Sequence, residues 1–368
     1  MPHPSTVNPA PAAVPRLLFL DALRAVASLT ILWHHFSLYP PLRDQAAPIL
    51  GPVLDWFQHH ARATQVFFVV GGYVMARSMA HRRWDLGEVG RFIRLRYCRL
   101  GLPYLAAIMV VIPVCMLGRG WLPDAVVGPP PTVPQLLAHL VFLQDILGYE
   151  QLSAGLWFVC INFQMGLIYV ATLWLRDRLG RPPNAGGGSW LEVPNLIGWA
   201  LAVFSLFYFN LHEDWDYWAL YFFPYFFMGV VVHGGQRSRS GQVGFWCYQL
   251  LLAAALLVHW RWRLVSALVV GLLLFAAEKS GVGARWPRNR IIAGLGRASY
   301  SLFLIHFPML LLVSTVWAWL GWTSPWAAVA GLLAAFFLSV ASAMVFHRWV
   351  EVPAGRLARG ARQAGAGN

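Results

Sequence analysis

The sequence predicts an all-α polytopic integral membrane protein with about ten transmembrane helices and both termini in the cytoplasm. Three observations carry this prediction. Of the 368 residues, 58% are hydrophobic and only 12% are charged, a composition suited to a bilayer rather than to a globular core. Apolar stretches of about 20 residues, the length that crosses the hydrocarbon layer, recur with only short polar breaks. Lysines and arginines gather in alternate connections, as they do on the cytoplasmic side of membrane proteins.

Taken in order, residues 1–15 are rich in Pro, Ala and Ser, cannot bury a core and are expected to form a disordered tail. No basic region precedes the first apolar segment and no A-x-A-like site follows it, so the first helix is expected to be retained. Spans are expected near 17–38, 64–80, 100–117, 155–175, 190–209, 216–233, 243–259, 262–278, 291–316 and 324–346. With the N-terminus inside, the tail and segments 77–99, 176–189, 234–242, 278–290 and 347–368 hold 21 of the 28 Lys and Arg residues. The outer loops are then 39–63, 118–154, 210–215, 260–261 and 317–323. The turn Asn210–Asp216 is acidic and suits the outside, whereas His259-Trp-Arg-Trp-Arg263 is a basic exception where a missed helix could hide. Within 118–154, the run Gln135–Gln144 is too short to cross and too apolar to float, which points to a helix lying on or re-entering the outer face. Segment 181–189, with its glycine triplet, reads as a flexible linker. The membrane domain is placed at 16–353 and a cytoplasmic C-terminal tail at 354–368.

The net charge of +13 is scattered through interhelical connections, so topology accounts for it and no nucleic-acid partner is expected. The 19 tryptophans suit interfacial belts. Four cysteines, Cys98, Cys115, Cys160 and Cys247, have no paired spacing and no neighbouring His cluster. Neither a disulfide, a metal site nor a bound cofactor is expected. No internal repeat argues for an inverted-repeat transporter.

Chemistry concentrates in the first span, which carries Asp21, Arg24, His34 and His35. An ionisable group in a membrane helix costs about 2.5 to 3.5 kcal/mol on insertion scales, so such residues need a reason to be there. Arg24 and His35 are eleven residues apart, which puts them about 20° apart around the helix and about 16 Å apart along it. His34 falls about 80° from Arg24 by the same count, making His35 the inward-facing histidine. Asp21 and Arg24, at i and i+3, can pair and lower the cost of the buried charge.

With these residues in place the chain resembles the membrane acyltransferase-3 family of bacterial acyltransferases. Asp21-Ala-Leu-Arg24 and His35 match the family's first helix. Val66-Phe-Phe-Val-Val-Gly-Gly-Tyr-Val74 is similar to its second, with Gly71-Gly72 where Ser-Gly is usual. Arg96-Tyr-Cys-Arg99-Leu-Gly-Leu-Pro103 resembles its Arg-x-x-Arg run, with one residue inserted before the proline. Leu156-Trp157 through Asn162 and Gln164 is similar to a helix that usually has Glu where Asn162 stands. Ser299-Tyr300 through His306-Phe-Pro308 resembles a late family helix. The matches run in family order from residue 17 to about 353.

The resemblance implies transfer of an acyl group, acetyl foremost, from cytoplasmic acyl-CoA to a hydroxyl of an envelope or exported carbohydrate such as an exopolysaccharide. It places the protein in a bacterial inner membrane. CoA is a polyanion, and Arg91, Arg94, Arg96 and Arg99 crowd one mouth, where guanidinium forks match phosphate oxygens; the family match singles out Arg96 and Arg99. Acyl transfer to an alcohol needs a general base, and His35 is the candidate, with Arg24 beside it in the catalytic set. Direct attack by the hydroxyl and a transient acyl-histidine both remain open. Asp21, Asn162, Gln164, Tyr300 and His306 are supporting residues, and Asn162 cannot act as a base. A glycan or lipid transporter or flippase is the competing class, which would also want intramembrane charge but would not consume acyl-CoA.

Overall fold

The computed structural model describes residues 17–61, 63–79, 82–180 and 192–364; the 1–15 tail and the 181–189 linker lie outside them. The described residues form helices α1 (Leu18–Phe36), α2 (Leu42–His60), α3 (Thr64–Met79), α4 (Leu86–Arg96), α5 (Leu102–Gly118), the short α6 (Asp124–Val127) and α7 (Val133–Leu140), α8 (Leu156–Arg178), α9 (Val193–Phe207), α10 (Ala219–Gly235), α11 (Arg239–Val258), α12 (Trp262–Lys279), α13 (Arg290–Leu320), α14 (Pro325–Phe346) and α15 (Val352–Ala364). No strand occurs among them. A helix stands at each of the ten expected spans. Six of these are long and apolar enough to cross a membrane, within 86–118, 156–178, 194–211, 239–258, 290–320 and 325–358. The other four, α1, α3, α10 and α12, run 16 to 19 residues.

Four boundaries depart from the sequence reading. Residues 39–63 are not a loop: α2 occupies 42–60 and carries Pro48 and Pro52 inside it. Arg43 contacts Asp55 at 3.1 Å, although twelve residues of straight helix would part them by about 18 Å. The prolines therefore bend α2, and its buried side chains Leu42, Ala46 and Leu54 join a cluster with Leu332 and Trp317. The segment 77–99 is not wholly a connection either. Helix runs unbroken from Leu86 to Gly118 through a π-turn at Tyr97–Gly101. A second π-turn, His347–Glu351, joins α14 to α15, so the region after 346 continues as helix to Ala364. The helix expected over Gln135–Gln144 is α7, which ends at Leu140 and is started by a capping box between Thr132 and Gln135. No extra span hides at 118–154 or 259–263 among the described residues.

The interior is built around α3 and α10, which cross at two glycines. A Cβ at Gly72 would strike the carbonyl of Phe226, and one at Gly229 the carbonyl of Val69, so only glycine permits this approach. Above the crossing, aromatic rings fill the space between helices: Phe68 with Phe158 at 4.8 Å, Phe68 with Phe222 at 5.3 Å, and Phe158 with Phe303 at 5.0 Å between ring centres. α13 packs along α1, α5 and α14, and Gly296 of α13 lies directly against the backbone of Asp21.

Candidate functional site

His35 lies one residue before the end of α1 and lines a cavity of about 350 Å³, within the range usual for small-molecule sites, about 300 to 1,000 Å³. Around it stand Gln65 at the start of α3, Asp145 and Gln151 from the segment between α7 and α8, Trp157 at the start of α8, and Asp216 with Arg263 on the far wall. Trp157 rests on Phe222 at 5.3 Å, so the aromatic layer forms the floor. Nδ1 of His35 is buried without a hydrogen-bond partner, which leaves Nε2 as the nitrogen that can meet the cavity. His34 reaches the same cavity, but its Nδ1 is bonded to the carbonyl of Phe57 in α2 at 2.9 Å. That bond ties α2 to α1 and takes one nitrogen of His34 out of play.

The 141–155 segment reaches its place by an unusual turn. Phe142 has φ 59°, the left-handed region that a bulky residue seldom adopts. Two contacts hold it there. Its ring packs between Tyr104 at 4.9 Å and Phe163 at 4.8 Å, and its carbonyl accepts from the side-chain amide of Gln164 at 2.9 Å. Gln164 is thus a strut for the re-entering segment. The turn brings Asp145 to the cavity, where Gln151 donates to its Oδ1 while Oδ2 is buried and unpartnered. Burial pushes the Asp145 carboxyl up to about 6, against the opposing pull of the Gln151 hydrogen bond.

Arg96, at the end of α4, points inward. Its Nη2 donates to both the backbone carbonyl and Oδ1 of Asn162, each at 2.7 Å. The guanidinium lies flat over Gly166, where a Cβ would come within 2.6 Å of Nε. Asn162 therefore acts as an acceptor, and its neutral amide leaves the positive charge uncompensated. Nε is enclosed and has no partner, and among the described residues no carboxylate forms an ion pair with Arg96 within 4.0 Å. A cation so placed calls for an anion. Asn162 is five residues from Trp157, about 7.5 Å along α8, so the helix that holds Arg96 also supplies a wall of the His35 cavity. Arg94 and Arg99 are exposed, and Arg91 is paired with Glu88 at 3.1 Å. The Tyr300 hydroxyl donates to the carbonyl of Leu100 at 2.7 Å, bracing the π-turn that carries Arg99. Asp21 is buried and Arg24 half-buried in α1; neither lines the His35 cavity.

Several polar residues at these positions escape the sequence reading. Gln65, Asp145, Gln151 and Arg263 share the cavity with His35. Glu351, in the second π-turn, accepts from Ser301 at 2.6 Å and lies 2.8 Å from Nδ1 of His347, in a turn packed against α5 and α13. Signals existed for two of them: Asp145 interrupts an apolar run, and Arg263 belongs to the basic turn that breaks the charge asymmetry. Arg263 lies 3.8 Å from Asp216 and its guanidinium sits over the Phe222 ring, which accounts for a cation at that end of the bundle.

A family model described as an acyltransferase domain matches residues 17–347. No curated protein matches the chain, and no solved structure does.

Proposed function

This chain belongs to the acyltransferase-3 family and is a membrane O-acyltransferase; from that premise we propose that it moves an acyl group, acetyl foremost, from cytoplasmic acyl-CoA to a hydroxyl of an envelope or exported carbohydrate, with His35 as general base. The observation that carries this reading is that His35 lines a polar cavity walled in part by α8, the helix on which the uncompensated cation of Arg96 is held by Asn162. A phosphate-rich donor suits Arg96, joined by the exposed Arg94 and Arg99, and a polyhydroxy acceptor suits the side chains of Gln65, Asp145, Gln151 and Arg263.

In the reaction, Nε2 of His35 removes the proton of the acceptor hydroxyl as its oxygen attacks the thioester carbon. The tetrahedral intermediate collapses, the carbon–sulfur bond breaks, and the imidazolium returns the proton to the departing CoA sulfur. Arg24, about three turns away along α1, contributes positive charge along the donor's path. This division of labour asks for ten spans with both ends in the cytoplasm of a bacterial inner membrane, residues 16–353 working as one unit and 354–368 on the cytoplasmic side. The Lys and Arg asymmetry supports that orientation.

The test is transfer of labelled acetyl from CoA in native membranes with matched protein levels. His35→Ala is expected to lose about 10² to 10⁴ in rate, the usual worth of a general base, while His34→Ala loses much less. Substantial transfer by His35→Ala, or equal loss in both variants, defeats the assignment. Mass analysis of surface and secreted glycans with and without the protein identifies the acceptor; unchanged glycans, with no acetyl leaving CoA, would make it a transporter.

A further inference from the structure

His35 has a companion that the proposed reaction does not yet use. His306 of α13 is 1% exposed, and its ring centre is 5.0 Å from that of His35. Nδ1 of His306 lies 3.0 Å from the carbonyl oxygen of Leu302, a group that can only accept. Nδ1 therefore carries the proton, and Nε2 of the neutral ring is an acceptor. That Nε2 is buried without a partner, and so is Nδ1 of His35. Two adjacent rings thus each hide an unsatisfied nitrogen, one of them an acceptor. A linear N–H···N bond of about 2.9 Å, added to two ring radii of about 1.1 Å, sets ring centres about 5.1 Å apart. The observed 5.0 Å matches that spacing; in this structure the two nitrogens are not aimed at each other, and a turn of the His35 ring in place, from the 48° between the ring planes, would bring them in line. The other neighbours of His35 are already engaged or cannot serve. His34 is bonded to Phe57, Tyr39 lies parallel to the His35 ring at 6.2 Å, and the Asp145 carboxylate bonds Gln151 and no histidine.

We propose that His306 is a positioning residue: its Nε2 accepts the Nδ1 proton of His35, fixing the tautomer in which the Nε2 lone pair of His35 faces the cavity. The inference rests on the reading of His35 as base and deepens it. When His35 takes the hydroxyl proton on Nε2, its Nδ1–H bond to His306 becomes charge-assisted and strengthens. When Nε2 passes that proton to the CoA sulfur, the bond relaxes. His306 keeps its own proton on Nδ1 throughout and is unchanged at the end. A neutral histidine does here what a carboxylate does in other triads, without placing a second charge inside the membrane.

The experiment compares His306→Leu, which keeps bulk and removes the acceptor, with His306→Gln, whose amide oxygen can accept near the position of Nε2. The rate at which labelled acetyl leaves acetyl-CoA is measured in native membranes that hold their endogenous acceptor, together with KM for acetyl-CoA. His306→Leu is expected to lower kcat by about 10²-fold, in the range of acid–base contributions, with KM for acetyl-CoA within about twofold; His306→Gln is expected to recover about tenfold of that loss. In a His35→Ala background, His306→Leu should cost nothing further, because the two residues act as a unit. Wild-type rates in His306→Leu, equal loss in the Gln and Leu variants, or a further loss in the His35→Ala background would overturn the proposal. High activity of His35→Ala alone removes the base itself, a separate result, and no release of acetyl by the wild type overturns the reaction and the pair together.

Discussion

Replacing Gly166 with alanine should impair donor binding without unfolding the protein, because the residue is a floor under Arg96. The added Cβ would lie 2.6 Å from Nε and 2.7 Å from Cζ of Arg96. Those atoms are at the far end of a flexible side chain, so the guanidinium, not the helix, gives way. It then loses two contacts of 2.7 Å to Asn162, which share one nitrogen and together are worth about 1.5 to 3 kcal/mol. Alanine inside α8 returns up to about 1 kcal/mol of helix propensity. The net loss of stability is then about 0.5 to 2 kcal/mol, small enough for an intact protein. If Arg96 grips a CoA phosphate, misplacing it forfeits a charge-assisted bond of about 1.5 to 3 kcal/mol, which is about 10- to 150-fold in Kd.

The assay is equilibrium binding of acetyl-CoA to purified protein, run beside thermal unfolding. Arg96→Ala should show the same deficit, and adding Gly166→Ala to it should change little, since both act through one guanidinium. Arg96→Lys should recover only part, because the fork is lost. Wild-type donor affinity in Gly166→Ala, or a deficit that adds fully to that of Arg96→Ala, would refute the reasoning.

Three further outcomes are expected. Asp145→Asn should flatten one part of the stability profile: a carboxyl raised to about 6 in the folded protein binds its proton more tightly folded than unfolded, so its contribution falls as pH rises from about 4 through 6. Thermal unfolding should find the Asn variant ahead of wild type above pH 6, with the gap closing near pH 4; a constant gap would place the cause elsewhere. Gln164→Ala removes the bond to the Phe142 carbonyl and should lower stability by about 1 kcal/mol while raising KM for the acceptor more than for acetyl-CoA, as kinetics with both substrates varied will decide. A cysteine introduced near residue 85 should resist an impermeant thiol reagent added from outside intact cells, and strong labelling there would invert the proposed orientation.

How much of this was legible depends on the kind of signal. Helices at the ten expected positions could be read because apolar stretches between charged breaks mark them, six of them long and apolar enough to cross a membrane; the choice of His35 came from its angle to Arg24, yet Arg24 does not line the cavity that His35 lines. The bent α2 was hidden by its own prolines: Pro48 and Pro52 read as loop punctuation, yet they lie inside a helix whose bend lets Arg43 meet Asp55. The continuity of helix through Tyr97–Gly101 and His347–Glu351 was hidden by charge, since arginines and glutamate mark an aqueous boundary whether or not the helix stops there. The roles of Gln164 and Asn162 depend on partners from other helices. Gln164 holds Phe142, 22 residues away, and Asn162 holds Arg96, 66 residues away; no local pattern encodes either pairing. Asp145 comes to line the cavity of His35 where Phe142 turns the chain through a conformation that its residue type disfavours.

The arrangement also bears on why the polar groups fall into two sets. Every intramembrane charge is costly, and a continuous polar path between the two ends would leak water and ions. Arg96 bonds Asn162 of α8, whereas His35 shares its cavity with Asp145 and Gln151, and the rings of Phe68, Phe158, Phe222 and Phe303, with Trp157 on Phe222, pack about the start of α8. In the proposed reaction the phosphates stay with Arg96, and only the thin thioester-bearing arm has to pass the aromatic layer to reach Nε2 of His35. Rings can part around such an arm and close behind it, whereas they exclude the hydrated phosphates and the acceptor. The same packing that keeps the two ends apart would then confine the chemistry to the one point where donor and acceptor meet, and narrowing or opening that layer, for instance with Phe158→Leu, should change transfer without changing the affinity of the protein for acetyl-CoA; a matched fall in both would show that the layer holds the donor site itself.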